Sequence, residues 1–233
     1  MALAYTVGVR LLANEPETPT TRRIRLALDG QPFPYDAGQA ASLSAGGEPT
    51  PYSIASAPAE TERFKWLEFL VKSDGSTRFG AGVEELAPGT GVDVHGPIGS
   101  FTADGVPPGA SMLFIAGGTG IAPLRSMIHQ KVHDRHEGPL SLVYSARTPS
   151  EFAYLADFQT LARDGRLELT LTLTGQADEW LYARGRTGTA HLSDLIRPGT
   201  VAFVCGPPAM VAEVPVALAA LGVARDRIRT EHW

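Results

Sequence analysis

A chain of 233 residues with 43% hydrophobic and 19% charged side chains has the makeup of a globular protein and room for two ordinary domains. A formal net charge of -5 argues against a general binder of nucleic acid or membrane surfaces, and no apolar run reaches the ~18 residues that cross a bilayer. The single cysteine, Cys205, excludes an internal disulfide, a four-cysteine iron–sulfur cluster and a cysteine-rich zinc knuckle within this chain.

The opening segment, MALAYTVGVRLLANE, has no basic leader followed by an apolar block, so a cytoplasmic protein without membrane insertion is expected. From there to about Thr102 the chain reads as short strands: 5–12, 21–28, 39–44, 51–56, 66–72 and 91–96. They are separated by Gly-, Pro- and Asp-rich turns, the spacing of a small antiparallel barrel or sandwich. One short helix is predicted over 80–89, stopped by Gly89. The polar, Pro/Gly-rich run from Thr102 to Ala110 is a plausible linker, which predicts domains at 1–105 and 106–233.

Beyond the linker the pattern changes. SMLFIA is a continuous apolar run, suited to a strand covered on both faces. Helix-length segments at 122–133, 151–164 and 209–222 alternate with predicted strands at 139–146, 167–174, 201–206 and 227–232, which indicates a parallel α/β sheet.

Three stretches in this chain carry the chemistry. In FIAGGTGIAP an apolar strand runs into Gly117, Gly118, Thr119 and Gly120, with Pro123 opening a helix. Glycine lets the backbone approach a phosphate, and a helix N-terminus offers N–H donors to an anion; a tight turn without ligand fits the same letters about equally well. The Gly-Lys-Ser/Thr ending of a triphosphatase loop is missing, and Pro123 stands where a dinucleotide fingerprint has its last glycine. In VCGPPAM, Cys205 and Gly206 close a strand and Pro207 begins the run into a helix that carries Met210. Carboxyl ends of strands in open α/β sheets bind ligands, although a lone cysteine is more often simply packed. The chain ends on RTEHW, where a terminal strand would deliver Trp233 to a cleft. His129, His133 and His136 have helical spacing, but no carboxylate or cysteine completes a metal set, and no metal site is predicted.

Taken in order, Pro51-Tyr52-Ser53, Gly-Gly-Thr-Gly-Ile-Ala-Pro, Cys-Gly-Pro-Pro-Ala-Met and the final Glu-x-aromatic resemble the ferredoxin–NADP(+) reductase family over essentially the whole chain. The resemblance implies two domains: a six-stranded antiparallel FAD-binding β-barrel followed by an α/β parallel-sheet nicotinamide-dinucleotide domain. It implies that Tyr52 flanks the flavin and that the Ser53 hydroxyl reaches its redox-active edge. Cys205 would then lie near the nicotinamide, Glu231 would relay protons or hold that ring, and Trp233 would cover the flavin between turnovers. Thr50, Pro51, Val71 and Lys72 would line the flavin site, with Arg78, Gly80, Ala81, Gly82 and Val83 around its phosphates. The dinucleotide would meet Gly118, Thr119, Gly120 and Pro123 on one turn, and Gly206, Pro207 and Met210 on the other. Arg147 and Arg186 would serve its adenosine half.

Two positions depart from the family pattern. Thr50 replaces the usual arginine and Val83 the usual serine, so backbone N–H groups at Gly80 to Val83, with Arg78 or Lys72, are expected to hold the flavin phosphates. The implied activity is FAD-dependent oxidation of NAD(P)H, with electrons passed to a separate ferredoxin, flavodoxin or oxygenase component by a monomeric enzyme. A reductase that releases free reduced flavin, and a non-catalytic nucleotide-sensing subunit, are the alternatives.

Overall fold

The computed structural model describes residues 5–177 and 179–232. Strand β1 (Tyr5–Thr18) buries Val7, Val9 and Leu11 while Thr6, Gly8 and Arg10 face outward, the alternation of a sheet with one wet face. It runs past the predicted residue 12 because its polar second half still pairs with β2 (Thr21–Ala27), out to Thr18 opposite Thr21. Ladder hydrogen bonds need no apolar side chains, so hydrophobic patterning does not mark this extension.

Strands β3 (Ala40–Ser44) and β4 (Thr50–Ser53) follow, then helix α1 (Pro58–Phe64), β5 (Trp66–Lys72), helix α2 (Arg78–Gly82) and β6 (Gly91–Ile98). They form one antiparallel sheet in the order β4-β3-β6-β1-β2-β5. Its two outer strands meet: Ile54 bridges Phe69, and the Ala55 N–H donates to the Glu68 carbonyl at 2.8 Å. The sheet therefore closes on itself, which removes the exposed edges an open sheet presents. Leu11, Ile24, Leu26, Leu43, Phe69 and Val94 fill its interior.

Helix α1 was not anticipated. Its seven residues are too few for a readable period, and its cues are a proline at the start and Glu60 in the first turn, whose carboxylate accepts from the Ala57 N–H. The helix expected over 80–89 is instead α2, begun earlier by the cap of Thr77, plus a single 3₁₀ turn at Val83–Glu85. Gly80 and Gly82 give that stretch little intrinsic helicity, which keeps the turns short.

The second sheet is parallel. Strand β7 (Met112–Gly117), helix α3 (Ile121–His133), β8 (Leu140–Ala146), α4 (Leu155–Arg163), β9 (Glu168–Leu173), β10 (Ala183–Arg184), the short α5 (Thr189–Leu192), β11 (Val201–Gly206), α6 (Pro208–Ala220) and β12 (Ile228–His232) follow in turn. The order is β10-β9-β8-β7-β11-β12. Every residue of β7, β8 and β11 is buried, as expected of strands covered on both faces. Leu113, Ile115, Ala202 and Val204 pack under Val214 and Leu218 of α6, and Phe114 stacks on Phe203 at 5.3 Å.

Residues up to Ala103, together with Arg125–His133 of α3, make one compact unit; Asp104–Leu124 and the chain from Asp134 onward make the other. Among the described residues no helix is long and apolar enough to cross a membrane.

Candidate functional site

In the first unit, Tyr52 and Ser53 close β4, paired with Ala41 and Ala40 of β3. The Tyr52 ring is half-buried, 5.8 Å from Phe79, and its hydroxyl shares a hydrogen bond with Thr77 Oγ1. Burial raises its pKa, against the opposing bonds from Thr77 and the Gly80 backbone. Ser53 is only 6% exposed, yet among the described residues its hydroxyl takes part in no hydrogen bond. The Ser53 oxygen is not among the fully enclosed unpaired atoms, so it keeps enough access to accept or donate a bond to a ligand.

Thr77 gathers the neighbouring backbone. Its Oγ1 accepts from the Gly80 N–H at 3.0 Å and its carbonyl accepts from Ala81 at 2.8 Å. A Cβ on Gly80 would stand 2.3 Å from the Lys72 carbonyl and 2.6 Å from Thr77 Oγ1, so only glycine lets α2 settle here. The Val83 N–H donates to the Gly80 carbonyl. Three of the N–H groups expected to hold phosphate thus serve the helix itself. Val83 is fully buried, and Asn14 Nδ2 donates to the carbonyls of Val83 and Leu86. Of the expected cations, Lys72 is exposed, and Arg78 forms a 3.2 Å surface pair with Glu48, with both side chains more than two-thirds exposed. An exposed pair of that kind is worth ~0–1 kcal/mol and exchanges readily for a better anion.

In the second unit the chain goes from β7 to β8 on one side and later returns to β11 on the other. The strand order reverses beside β7, and the carboxyl ends of β7 and β11 flank the switch point where open α/β sheets bind ligands. Both glycine turns lie there. A Cβ on Gly120 would meet the Cys205 carbonyl oxygen at 2.3 Å, and one on Gly117 would meet Pro207 Cδ at 2.7 Å. These two glycines are required by close packing between the turns. Gly118 differs: its φ is +55°, nothing would crowd a Cβ within 4 Å, and its carbonyl accepts from Tyr144 Oη. It is the glycine with open space beside it.

Cys205 is fully buried and pairs in register with Glu231 of β12. Burial, then the Glu231 carboxylate, pushes its thiol well above the ordinary range, so it stays protonated. Thr119 and Met210 are half-buried, Gly206 and Pro123 buried, and Pro207 exposed. Arg147 is exposed at the end of β8, where its carbonyl accepts from the Gly175 N–H, and Arg186 pairs with Glu213 at 3.2 Å on the surface. Trp233 lies outside the described residues. His129 Nδ1 stands 3.5 Å from Glu60, and His136, past the end of α3, is hydrogen-bonded to the Ala110 carbonyl. Among the described residues no group of three metal-ligating side chains forms.

Sequence reasoning missed a buried ionic group in the first unit. Arg125, 7% exposed, forks onto both oxygens of Glu60 at 2.8 and 3.1 Å and also donates to the Ala55 carbonyl at 2.9 Å. Glu68, 1% exposed, pairs with Arg25 at 2.8 Å. Burial opposes the charge on Glu60, but the Arg125 bonds and charge, with His129 and the Ala57 N–H, outweigh it and hold that carboxyl below its usual range.

Residues 114–215 match the oxidoreductase NAD-binding domain family. Over its full length the chain is 33% identical to ferredoxin–NADP reductase B of Sorangium cellulosum, itself covered completely. The chain belongs to the ferredoxin–NADP(+) reductase family. As a member it is an oxidoreductase. The reductase also resembles in structure an Amycolatopsis cytochrome P450 reductase, GcoB, with a TM-score of 0.86 at 27% identity over 98% of this chain and 70% of that one. A Neisseria gonorrhoeae ferredoxin NADP+ reductase, solved with bound FAD and NADP, aligns with a TM-score of 0.81 over 97% of this chain and 98% of that one. At 20% identity that second likeness speaks to the fold.

Proposed function

We propose that this protein is an FAD-dependent NAD(P)H oxidoreductase that delivers electrons to a separate ferredoxin, flavodoxin or oxygenase component. In this reading, residues 1–105 bind FAD, 106–233 bind the nicotinamide dinucleotide, and the enzyme works as a cytoplasmic monomer. The observation that carries the reading is Ser53: a residue only 6% exposed whose hydroxyl, unpaired among the described residues, is not fully enclosed and sits next to Tyr52 in the chain. When bound, FAD supplies acceptance of a hydride equivalent from reduced nicotinamide and release of the electrons singly or in pairs.

The residues present fit such a group. Tyr52 supplies a flat wall with its hydroxyl tied to Thr77, and Ser53 supplies a hydrogen-bond donor. Gly80, with no side chain, lets α2 close against the Lys72 carbonyl and Thr77 Oγ1, which brings the start of α2 up beside Tyr52. Arg78, released from Glu48, supplies positive charge for a diphosphate. In the second unit the open backbone at Gly118 accommodates the dinucleotide, with Thr119, Gly206, Pro207 and Met210 around it. Cys205 and Glu231, paired in register, serve the nicotinamide end, the cysteine as a neutral thiol and the glutamate as the proton-holding group. Trp233 follows two residues after Glu231 and is assigned the cover of the flavin face.

Replacing Ser53 with alanine is expected to slow flavin reduction by NAD(P)H about 100-fold, the lower end of the scale for a lost positioned donor, while FAD stays bound. Stopped-flow absorbance decides, and an unchanged rate refutes the role. The release of reduced flavin as a product is a second reading, favoured by the N–H groups of Gly80, Ala81 and Val83 being spent within α2. Gel filtration of the FAD-loaded protein separates them: retained colour supports a prosthetic group, lost colour a diffusible one.

A further inference from the structure

Ser53 ends its strand, and the chain behind it is held with unusual completeness. The Ile54 N–H donates to the Gln39 carbonyl and Ala55 to Glu68, as the closed sheet requires. Past that point, besides bonds from Tyr35 and Glu68 to Ser56, a second set of restraints comes from α3. Arg125 Nη1 donates to the Ala55 carbonyl and Ser126 Oγ to the Ser56 carbonyl at 2.6 Å, while Gln130 accepts from the Ala59 N–H at 3.0 Å. The fork of Arg125 onto Glu60 fixes the far end of the same segment.

Stability alone does not account for this arrangement. Arg125 is buried and its partner Glu60 only one-fifth exposed, so the pair is largely desolvated, and a well-packed apolar replacement of such a pair is often as stable. A planar fork with a third bond to a backbone carbonyl offers direction instead, since each donor accepts only a narrow range of geometries. The segment so directed begins two residues after Ser53, about 7 Å along an extended chain.

We infer that Arg125 and Ser126 are positioning residues for Tyr52 and Ser53, holding residues 55–60 so that the Ser53 hydroxyl keeps its place at the ligand. The inference rests on the flavin reading of Ser53 given above.

A double-mutant cycle tests it. Glu60→Gln combined with Arg125→Met removes both charges together, so neither ion is left buried alone. Ser126→Ala is the second arm, and it leaves the Ser56 carbonyl bonded to Tyr35 Oη at 2.9 Å. Each is made with and without Ser53→Ala and loaded with FAD. Three readouts are taken: the stopped-flow rate of flavin reduction, the visible circular dichroism of the bound flavin, and FAD affinity by fluorescence quenching. With Ser53 present, the charge-neutral pair is expected to slow reduction ~10- to 100-fold, the cost of a misplacement near 1 Å, and to alter the visible dichroism. In the Ser53→Ala background the same change is expected to cost less than ~3-fold, because the group it positions is gone. Ser126→Ala is expected to follow the same pattern at smaller amplitude, and carries the test if the pair fails to fold. Equal losses in both backgrounds, or no loss with Ser53 present, overturn the inference. If Ser53→Ala alone is silent, the flavin reading falls with it; if Ser53→Ala is slow but the losses are equal, only the positioning role falls.

Discussion

Replacing Gly120 with alanine, and Gly118 with alanine in parallel, separates the two reasons a turn can be rich in glycine. The Gly120 Cβ would stand 2.3 Å from the Cys205 carbonyl oxygen, 2.5 Å from its carbon and 2.7 Å from the Gly206 nitrogen. All three are backbone atoms of a buried central strand, so no flexible side chain can swing away. The cost belongs at the upper end of the overpacking range, ~3 kcal/mol. For a chain of this size each kcal/mol lowers the melting temperature ~2–4 °C, so a drop of ~6–12 °C is expected. Gly118 has open space and a φ of +55°, so its alanine meets only left-handed backbone strain of ~1 kcal/mol and a drop of ~2–4 °C. Its effect is expected on the ligand instead: a methyl group between backbone and dinucleotide, raising KM for NAD(P)H about tenfold, or ~1.4 kcal/mol. Thermal unfolding followed by far-ultraviolet circular dichroism, then steady-state kinetics, gives both numbers. A Gly120→Ala protein melting within ~2 °C of the parent refutes the close-packing argument, on the same scale. An unchanged KM in Gly118→Ala refutes the dinucleotide's approach to that turn.

Further outcomes follow from Cys205, Glu60 and Arg147. The Cys205 thiol, buried and beside Glu231, is expected to resist a thiol reagent at neutral pH in the native protein and to react fully in urea; rapid native labelling contradicts its burial. Because its pKa is raised on folding, the stability it contributes is complete below the ordinary value of 9.0 and is lost as pH rises above it, a loss Cys205→Ala removes. Glu60 has the opposite sign: its lowered pKa contributes stability above the ordinary 4.5 that is lost as pH falls below it. Acid titration of the melting temperature should therefore flatten in Glu60→Gln, and an unchanged acid limb excludes the coupling to Arg125. Arg147→Ala is expected to raise KM about tenfold for NADPH and hardly at all for NADH, the value of one charge-assisted bond to a 2′-phosphate. Equal effects on both coenzymes show that Arg147 reads no such phosphate.

Much of the architecture was legible in the letters because it depends on local periodicity. The alternation of Val7, Val9 and Leu11 marks a half-buried strand, and the unbroken apolar runs of β7 and β11 mark strands covered twice. The ordered motifs around Tyr52, Gly118 and Cys205 resemble those of the family, and the glycines in the second and third sit where a side chain would be strained or crowded. What stayed hidden depends on contacts distant in sequence. Glu60 and Arg125 are 65 positions apart, and a charged side chain carries no sign of its partner. Nothing in Gly117 or Gly120 says that Pro207 and Cys205 will press against them. Nor do the letters show that Thr77 takes up the N–H groups of Gly80 and Ala81. Sequence determines local conformation through sterics and burial pattern, which act over a few residues. Only the closed tertiary structure decides which donors, charges and glycine faces are used within the fold and which, like the Ser53 hydroxyl and the open face of Gly118, are not used among the described residues.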